Sequence, residues 1–191
     1  MDETSACTCN CSALPSAWVM RFLSILPRGA RILDVAAGEG RHTSLFLLEG
    51  FNVTAVDVDV SNLEPLVGTP GLTLECRDLE AEPWPYGKEA FDGIVVTNYL
   101  HREHFPHYWE SLAPGGIFLM ETFLRSNEYI WGRPKNPAHG FENGELLRLM
   151  PEGARIIAYE EGMASDNRLV ARIAFAKPGR VEPYGYPLRA R

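Results

Sequence analysis

An apolar strand running into a tight glycine turn, Arg31-Ile-Leu-Asp-Val-Ala-Ala-Gly-Glu-Gly-Arg41, constrains this chain more than any other feature. Ile32, Leu33 and Val35 suit a strand buried on both faces, and Gly38 and Gly40 let the backbone turn sharply and meet a ligand without Cβ atoms in the way. A second strand, Asn52-Val-Thr-Ala-Val-Asp57, ends in an acid nineteen residues beyond Gly38. In α/β folds an acid about 20 residues past such a turn accepts from ribose hydroxyls. Gly-x-Gly alone occurs by chance; the order strand, turn, strand, acid carries the reading of a nucleoside site. A dinucleotide fold wants a third glycine where Thr43 stands, and Arg41, His42 and Thr43 crowd that place, which weighs against NAD.

Four further segments follow in order: Val56-Asp57-Val58-Asp59, Cys76-Arg77-Asp78-Leu79, Phe91-Asp92-Gly-Ile-Val-Val-Thr-Asn98 and Leu112-Ala-Pro-Gly-Gly-Ile-Phe-Leu119. With Asp34-Val-Ala-Ala-Gly38-Glu-Gly40 they make a chain that resembles the class I S-adenosylmethionine-dependent methyltransferases over nearly its whole length. The first glycine of the family's turn is Ala36 here. The small tellurite-resistance-like methyltransferases are a looser match. The resemblance implies a Rossmann-like three-layer α/β sandwich, with a seven-stranded, mostly parallel sheet and one antiparallel strand in a C-terminal hairpin.

Local patterns agree. Apolar positions Trp18, Val19, Phe22, Leu23, Ile25 and Leu26 recur at helical spacing after a capping Ser16. Strands are expected at 31–37, 52–58, 72–77, 91–97, 116–123, 154–161 and 168–176, with helices at 16–26, 40–49, 61–66, 102–113 and 143–149. The loop from Glu160 to Asn167 leaves no room for a helix, so the last two strands pair as a hairpin. Residues 1–11 read as a disordered tail, 12–178 as one domain, and the Pro- and Gly-rich end, 179–191, as loosely held.

With 191 residues the chain is one domain's worth. No run reaches the roughly 18 apolar residues of a membrane span, and the acidic start Met1-Asp-Glu is unlike a signal peptide, so a cytoplasmic location is expected. The net charge of −7, with no basic run, disfavours nucleic acid and favours a small-molecule partner. Cys7, Cys9 and Cys11 lack a second ligand pair at finger spacing, and His101, His104 and His107 are spread over a proline-broken helix, so no metal is expected.

Chemistry assigns the groups. Ionised Asp57 can accept from both ribose hydroxyls, and Val58 gives the adenine an apolar wall. The resemblance implies that Asp78 and the Leu79 amide hold the adenine edge, and that Asp34, Ala36, Gly38, Gly40 and Asn98 complete the cofactor site. After strand four come the catalytic candidates, His101 as a base, Arg102 for an anionic acceptor, and Tyr99. The aromatic loop 121–144, with Trp131, Arg133 and His139, is the expected acceptor pocket. A non-catalytic cofactor-binding or scaffold domain is the alternative from another class, followed by an NAD-dependent oxidoreductase or an RNA methyltransferase.

Overall fold

The computed structural model describes residues 14–125 and 136–179. A seven-stranded sheet is flanked by helices on both faces. Its strands are β1 (Arg31–Val35), β2 (Asn52–Asp57), β3 (Leu72–Cys76), β4 (Phe91–Thr97), β5 (Leu112–Phe123), β6 (Arg155–Met163) and β7 (Leu169–Ala176). They lie in the order β3-β2-β1-β4-β5-β7-β6. All run parallel except β7, which pairs antiparallel with β5 and β6. Strand order reverses between β1 and β4, so a crevice opens beyond the carboxyl ends of those strands. Because β7 is reversed, the β6–β7 turn rises at that same edge.

Alternation along the strands decides which helix lies where. Leu33, Val35, Ile94, Val96, Phe118 and Phe175 point to one face, where α3 (Phe105–Ser111) and α4 (Glu145–Arg148) bring Phe105, Tyr108 and Leu146. Ile32, Val53, Val95, Ile117 and Leu119 point to the other, beneath Trp18 and Phe22 of α1 (Ala17–Phe22) and Phe46 of α2 (Arg41–Leu48). Burying each large side chain contributes about 1.5–3 kcal/mol, so these two layers hold the fold together.

The hairpin and the seven strands fall where the sequence placed them, with ends differing by a few residues. Ser16 caps α1, its hydroxyl accepting from the Trp18 amide at 3.1 Å. Three segments depart from expectation. Residues Ser61–Leu66 form a 3-10 helix containing Pro65, which has no N–H to continue an α-helix. The 102–113 helix is split into a 3-10 turn, Arg102–His104, and α3, with Pro106 in the first turn of α3, where a missing N–H costs nothing. β5 starts early at Leu112, and its register with β4 jumps between Phe91↔Leu112 and Gly93↔Ile117. The displaced stretch is tied down by Lys177, whose ammonium donates to the carbonyls of Trp109 (2.8 Å) and Leu112 (2.7 Å). Among the described residues no helix is long and apolar enough to cross a membrane. Cys7, Cys9, Cys11, Trp131, Arg133 and both terminal tails apart from Gly179 lie outside the described residues.

Candidate functional site

The turn after β1 adopts left-handed backbone at Ala36 (φ 54°), Gly38 (φ 56°) and Gly40 (φ 74°). The two glycines are needed for different reasons. A Cβ on Gly40 would lie 2.3 Å from Leu63 Cδ2, whereas one on Gly38 would enter open space, the space a ligand would use. Asp57, at the tip of β2, turns back over this loop: its Oδ2 accepts from the Gly38 amide at 2.8 Å and its Oδ1 from the Asp59 amide at 3.1 Å. The carboxylate is thus fixed in direction before any ligand arrives.

A cleft of about 340 Å3 opens here, lined by Val35, Ala36, Val56, Asp57, Val58, Arg77, Asp78, Leu79, Glu80 and Tyr99. That size falls in the roughly 300–1,000 Å3 range of small-molecule sites. One oxygen of Asp78 caps its own turn, accepting from Glu80 and Ala81 amides at 3.0 and 3.2 Å. Leu79 is buried, and its carbonyl accepts from Nε2 of His104 at 3.0 Å. A carbonyl only accepts, so that nitrogen carries the proton and Nδ1 is the bare one. Nδ1 is buried without a partner, and burial, then His101 at 4.2 Å between ring centroids, lowers the pKa of His104. Tyr99 keeps its phenolic proton, because burial and the neighbouring Glu80 push its pKa up. Its proton is held toward Glu80, so it is no base for the cleft.

Asp34 lies beneath the turn. It is buried, accepts from the Thr43 hydroxyl at 2.7 Å, and is raised to about 6 by burial, which the Thr43 bonds oppose. Its contact is with α2, so it braces the turn from below. Beside it, His42 is buried and its pKa is pushed down to about 3, by desolvation and then by Arg41. Its Nε2 accepts from the Ser16 amide at 3.0 Å, which leaves the proton on Nδ1, 3.3 Å from Thr97 Oγ1.

The other candidates divide. His101 faces Glu80 (3.7 Å) and Glu103 (3.9 Å), beside the Leu79 turn. Arg102 is committed elsewhere: it pairs with Glu145 at 2.5 Å, donates to the carbonyls of Ala138 and Gly140, and lies over Phe141. It clamps the 138–145 segment and does not line the cleft. His139 is exposed at the end of the short 3-10 turn Pro137–His139. Asn98 has left-handed backbone (φ 57°), and its side-chain oxygen accepts from Arg168 at 2.8 Å.

Sequence reasoning passed over a charged group on the far side of the crevice. Glu121 of β5 is buried, with Arg168 at 3.2 Å and Arg172 at 2.7 Å. Arg172 stands opposite Glu121 in the β5–β7 register and opposite no apolar neighbour in β6, where Glu160 takes the adjacent place. The signal was a charge embedded in each apolar strand run, Met120-Glu121-Thr122 and Ala171-Arg172-Ile173. Among the described residues no group of acids, histidines and cysteines could hold a metal ion.

The family model for a methyltransferase domain matches residues 10–154. The chain belongs to the class I S-adenosylmethionine-dependent methyltransferases. Over 86 residues the chain is 33% identical to an uncharacterized protein of Mycobacterium tuberculosis, covering 44% of the chain and 31% of that protein. The chain thus spans about a third of the length of the curated relatives it matches. Solved structures share the fold at lower identity. Burkholderia thailandensis 1,6-didemethyltoxoflavin-N1-methyltransferase, with its bound 1,6-didemethyltoxoflavin and S-adenosylhomocysteine, superposes with a TM-score of 0.61 at 22% identity, covering 82% of this chain and 75% of that one. The [4+2]-cyclase SpnF does so with a TM-score of 0.65 at 17% identity, covering 84% and 78%.

Proposed function

We propose that this methyltransferase binds S-adenosylmethionine in the cleft over β1, β2 and β3 and transfers its methyl group to a small-molecule acceptor by in-line displacement. The observation that carries the reading is the Asp57 carboxylate, held over the Gly38 turn at the rim of a cleft of about 340 Å3. When bound, the cofactor supplies an electrophilic methyl on a sulfonium. Asp57 receives the ribose hydroxyls, Val58 flanks the adenine face, and the free oxygen of Asp78 with the Leu79 amide holds its edge. His104 fixes that turn through the Leu79 carbonyl. The turn from Ala36 to Gly40 meets the amino-acid end, Gly38 leaving it clear of a side chain, and Asp34 braces the turn through Thr43.

The chain's own contribution to the displacement is alignment in a dry site, with reacting atoms held roughly 3–3.5 Å apart. Tyr99 walls the cleft beside Glu80. A soft, anionic acceptor needs no base; for a hydroxyl or amine, His101 is the candidate from this chain. A binding or scaffold role is the second reading, since one fold hosts more than one function.

Calorimetric titration with S-adenosylhomocysteine and with NAD tests the cofactor. Saturable binding of the first alone is expected, and saturable binding of NAD alone overturns the reading.

A further inference from the structure

The nucleoside half of the crevice lies over β3, β2 and β1, so an acceptor must approach from β4, β5 and β7. On that side two guanidiniums grip successive residues at the tip of β4. Arg41 Nη2 reaches Thr97 Oγ1 at 3.5 Å, and Arg168 Nη1 donates to Asn98 Oδ1 at 2.8 Å. Their situations differ. Arg168 is saturated, with Asp166 at 2.6 Å and Glu121 at 3.2 Å. Arg172 shares Glu121 with it and reaches Glu160 at 3.7 Å.

Among the described residues Arg41 has no such partner. Half-buried at the start of α2, it meets only neutral oxygens at the long end of hydrogen bonding, the Leu14 carbonyl at 3.3 Å and Thr97 at 3.5 Å. Glu121, Asp166 and buried Asp34 act on it through space without pairing, and burial together with Arg168 holds it below the ordinary guanidinium range. Asn98 adds a neutral donor: with its oxygen taken by Arg168, its amide N–H groups are left toward solvent at an exposed position. A planar fork that reaches Thr97, with an amide donor on the next residue, suits a carboxylate, which the fork can hold through two parallel bonds.

We propose that Arg41, aided by the Asn98 amide, is the receptor for a carboxylate on the methyl acceptor, so that the acceptor is a small carboxylic acid. This rests on the cofactor assignment above. The same chemistry could come from the cofactor's own carboxylate, and the arms of the experiment separate the two sources.

The test compares the wild type with Arg41→Gln and Arg41→Lys, since Arg41 carries no ion pair the fold depends on. S-adenosylhomocysteine affinity is measured by calorimetry. S-adenosylhomocysteine formation is followed with small hydroxy, amino and thiol carboxylic acids, each beside its primary amide. The expected result is turnover of an acid in preference to its amide, a KM at least tenfold higher in Arg41→Gln with partial rescue in Arg41→Lys, and cofactor affinity within twofold throughout. If no acid turns over, the same acids are titrated into the S-adenosylhomocysteine complex, where binding to the wild type and its loss in Arg41→Gln is expected. A tenfold loss of cofactor affinity in Arg41→Gln assigns the guanidinium to the cofactor and overturns the proposal. So does equal use of amides, or the absence of any acid binding. Failure of the wild type to bind S-adenosylhomocysteine at all would instead sink the cofactor assignment.

Discussion

Replacing Asp57 by alanine removes two things at once. The Gly38 and Asp59 amides lose their acceptors at 2.8 and 3.1 Å, and the cleft loses the ionised group that would receive the ribose hydroxyls. Hydrogen bonds to a charged group contribute about 1.5–3 kcal/mol, and a 1.4 kcal/mol change is tenfold in affinity. Asp57→Ala should therefore weaken S-adenosylhomocysteine binding by roughly 10- to 150-fold. The cost to stability is smaller, because Asp57 is half-exposed and the amides it leaves can reach water. Asp57→Asn keeps one acceptor oxygen and so should fall between the two proteins. Calorimetric titration measures the affinity, with thermal unfolding beside it to show that each variant is folded. An affinity within twofold of the wild type in a folded Asp57→Ala protein would place the ribose elsewhere and refute the reasoning.

The glycines of the turn should separate stability from binding. Gly40→Ala combines left-handed backbone strain of about 1–2 kcal/mol with a forced shift of Leu63, so a loss of about 2–4 kcal/mol is expected, seen as a Tm lower by roughly 5–15 °C. Gly38→Ala meets no neighbour and should lower Tm by only a few degrees while weakening S-adenosylhomocysteine binding; the opposite pattern would contradict the geometry. His42 makes stability depend on pH. Its folded pKa of about 3 lies below the ordinary value of about 6.5, so its contribution is complete above pH 6.5 and is lost as pH falls toward 3. Asp34, raised to about 6, acts with the opposite sign, stabilising at low pH and losing that contribution as pH rises through 6. The difference between wild type and His42→Gln isolates the histidine: in urea unfolding it should shrink by about 2 kcal/mol from pH 7 to pH 5, and a constant difference would show that His42 does not titrate in this way.

The fold was largely legible because its signals are local. Apolar runs such as Ile94-Val95-Val96, the glycine turn and the helix-free loop before β7 each report their own structure. Where tertiary context intervened, legibility declined. Nothing near Leu112 says that β5 begins there, because its early start depends on Lys177 holding the displaced stretch from the far end of the domain. Asp57 and Asp78, which line the cleft, were legible for the same reason as the fold, since each lies at or just past the end of a strand. The charged cluster across the crevice was not. Arg41 and Arg168 are far apart in sequence and reach successive residues, Thr97 and Asn98, only because β7 is reversed, which brings the β6–β7 turn to the carboxyl ends of β4 and β5. Reading Arg102 as the anion-binding residue followed from its neighbourhood in sequence, whereas its partner Glu145 lies on a different element.

Methyl transfer itself is the central claim, and a product assay addresses it most directly. The wild-type protein, supplied with S-adenosylmethionine carrying a labelled methyl group, is offered thiols, chalcogen oxyanions, carboxylic acids, small amines and transfer RNA. Active methyl transfer predicts S-adenosylhomocysteine formation with label recovered on one of the small molecules. Binding of the cofactor without transfer to any acceptor, or transfer to transfer RNA alone, would contradict it.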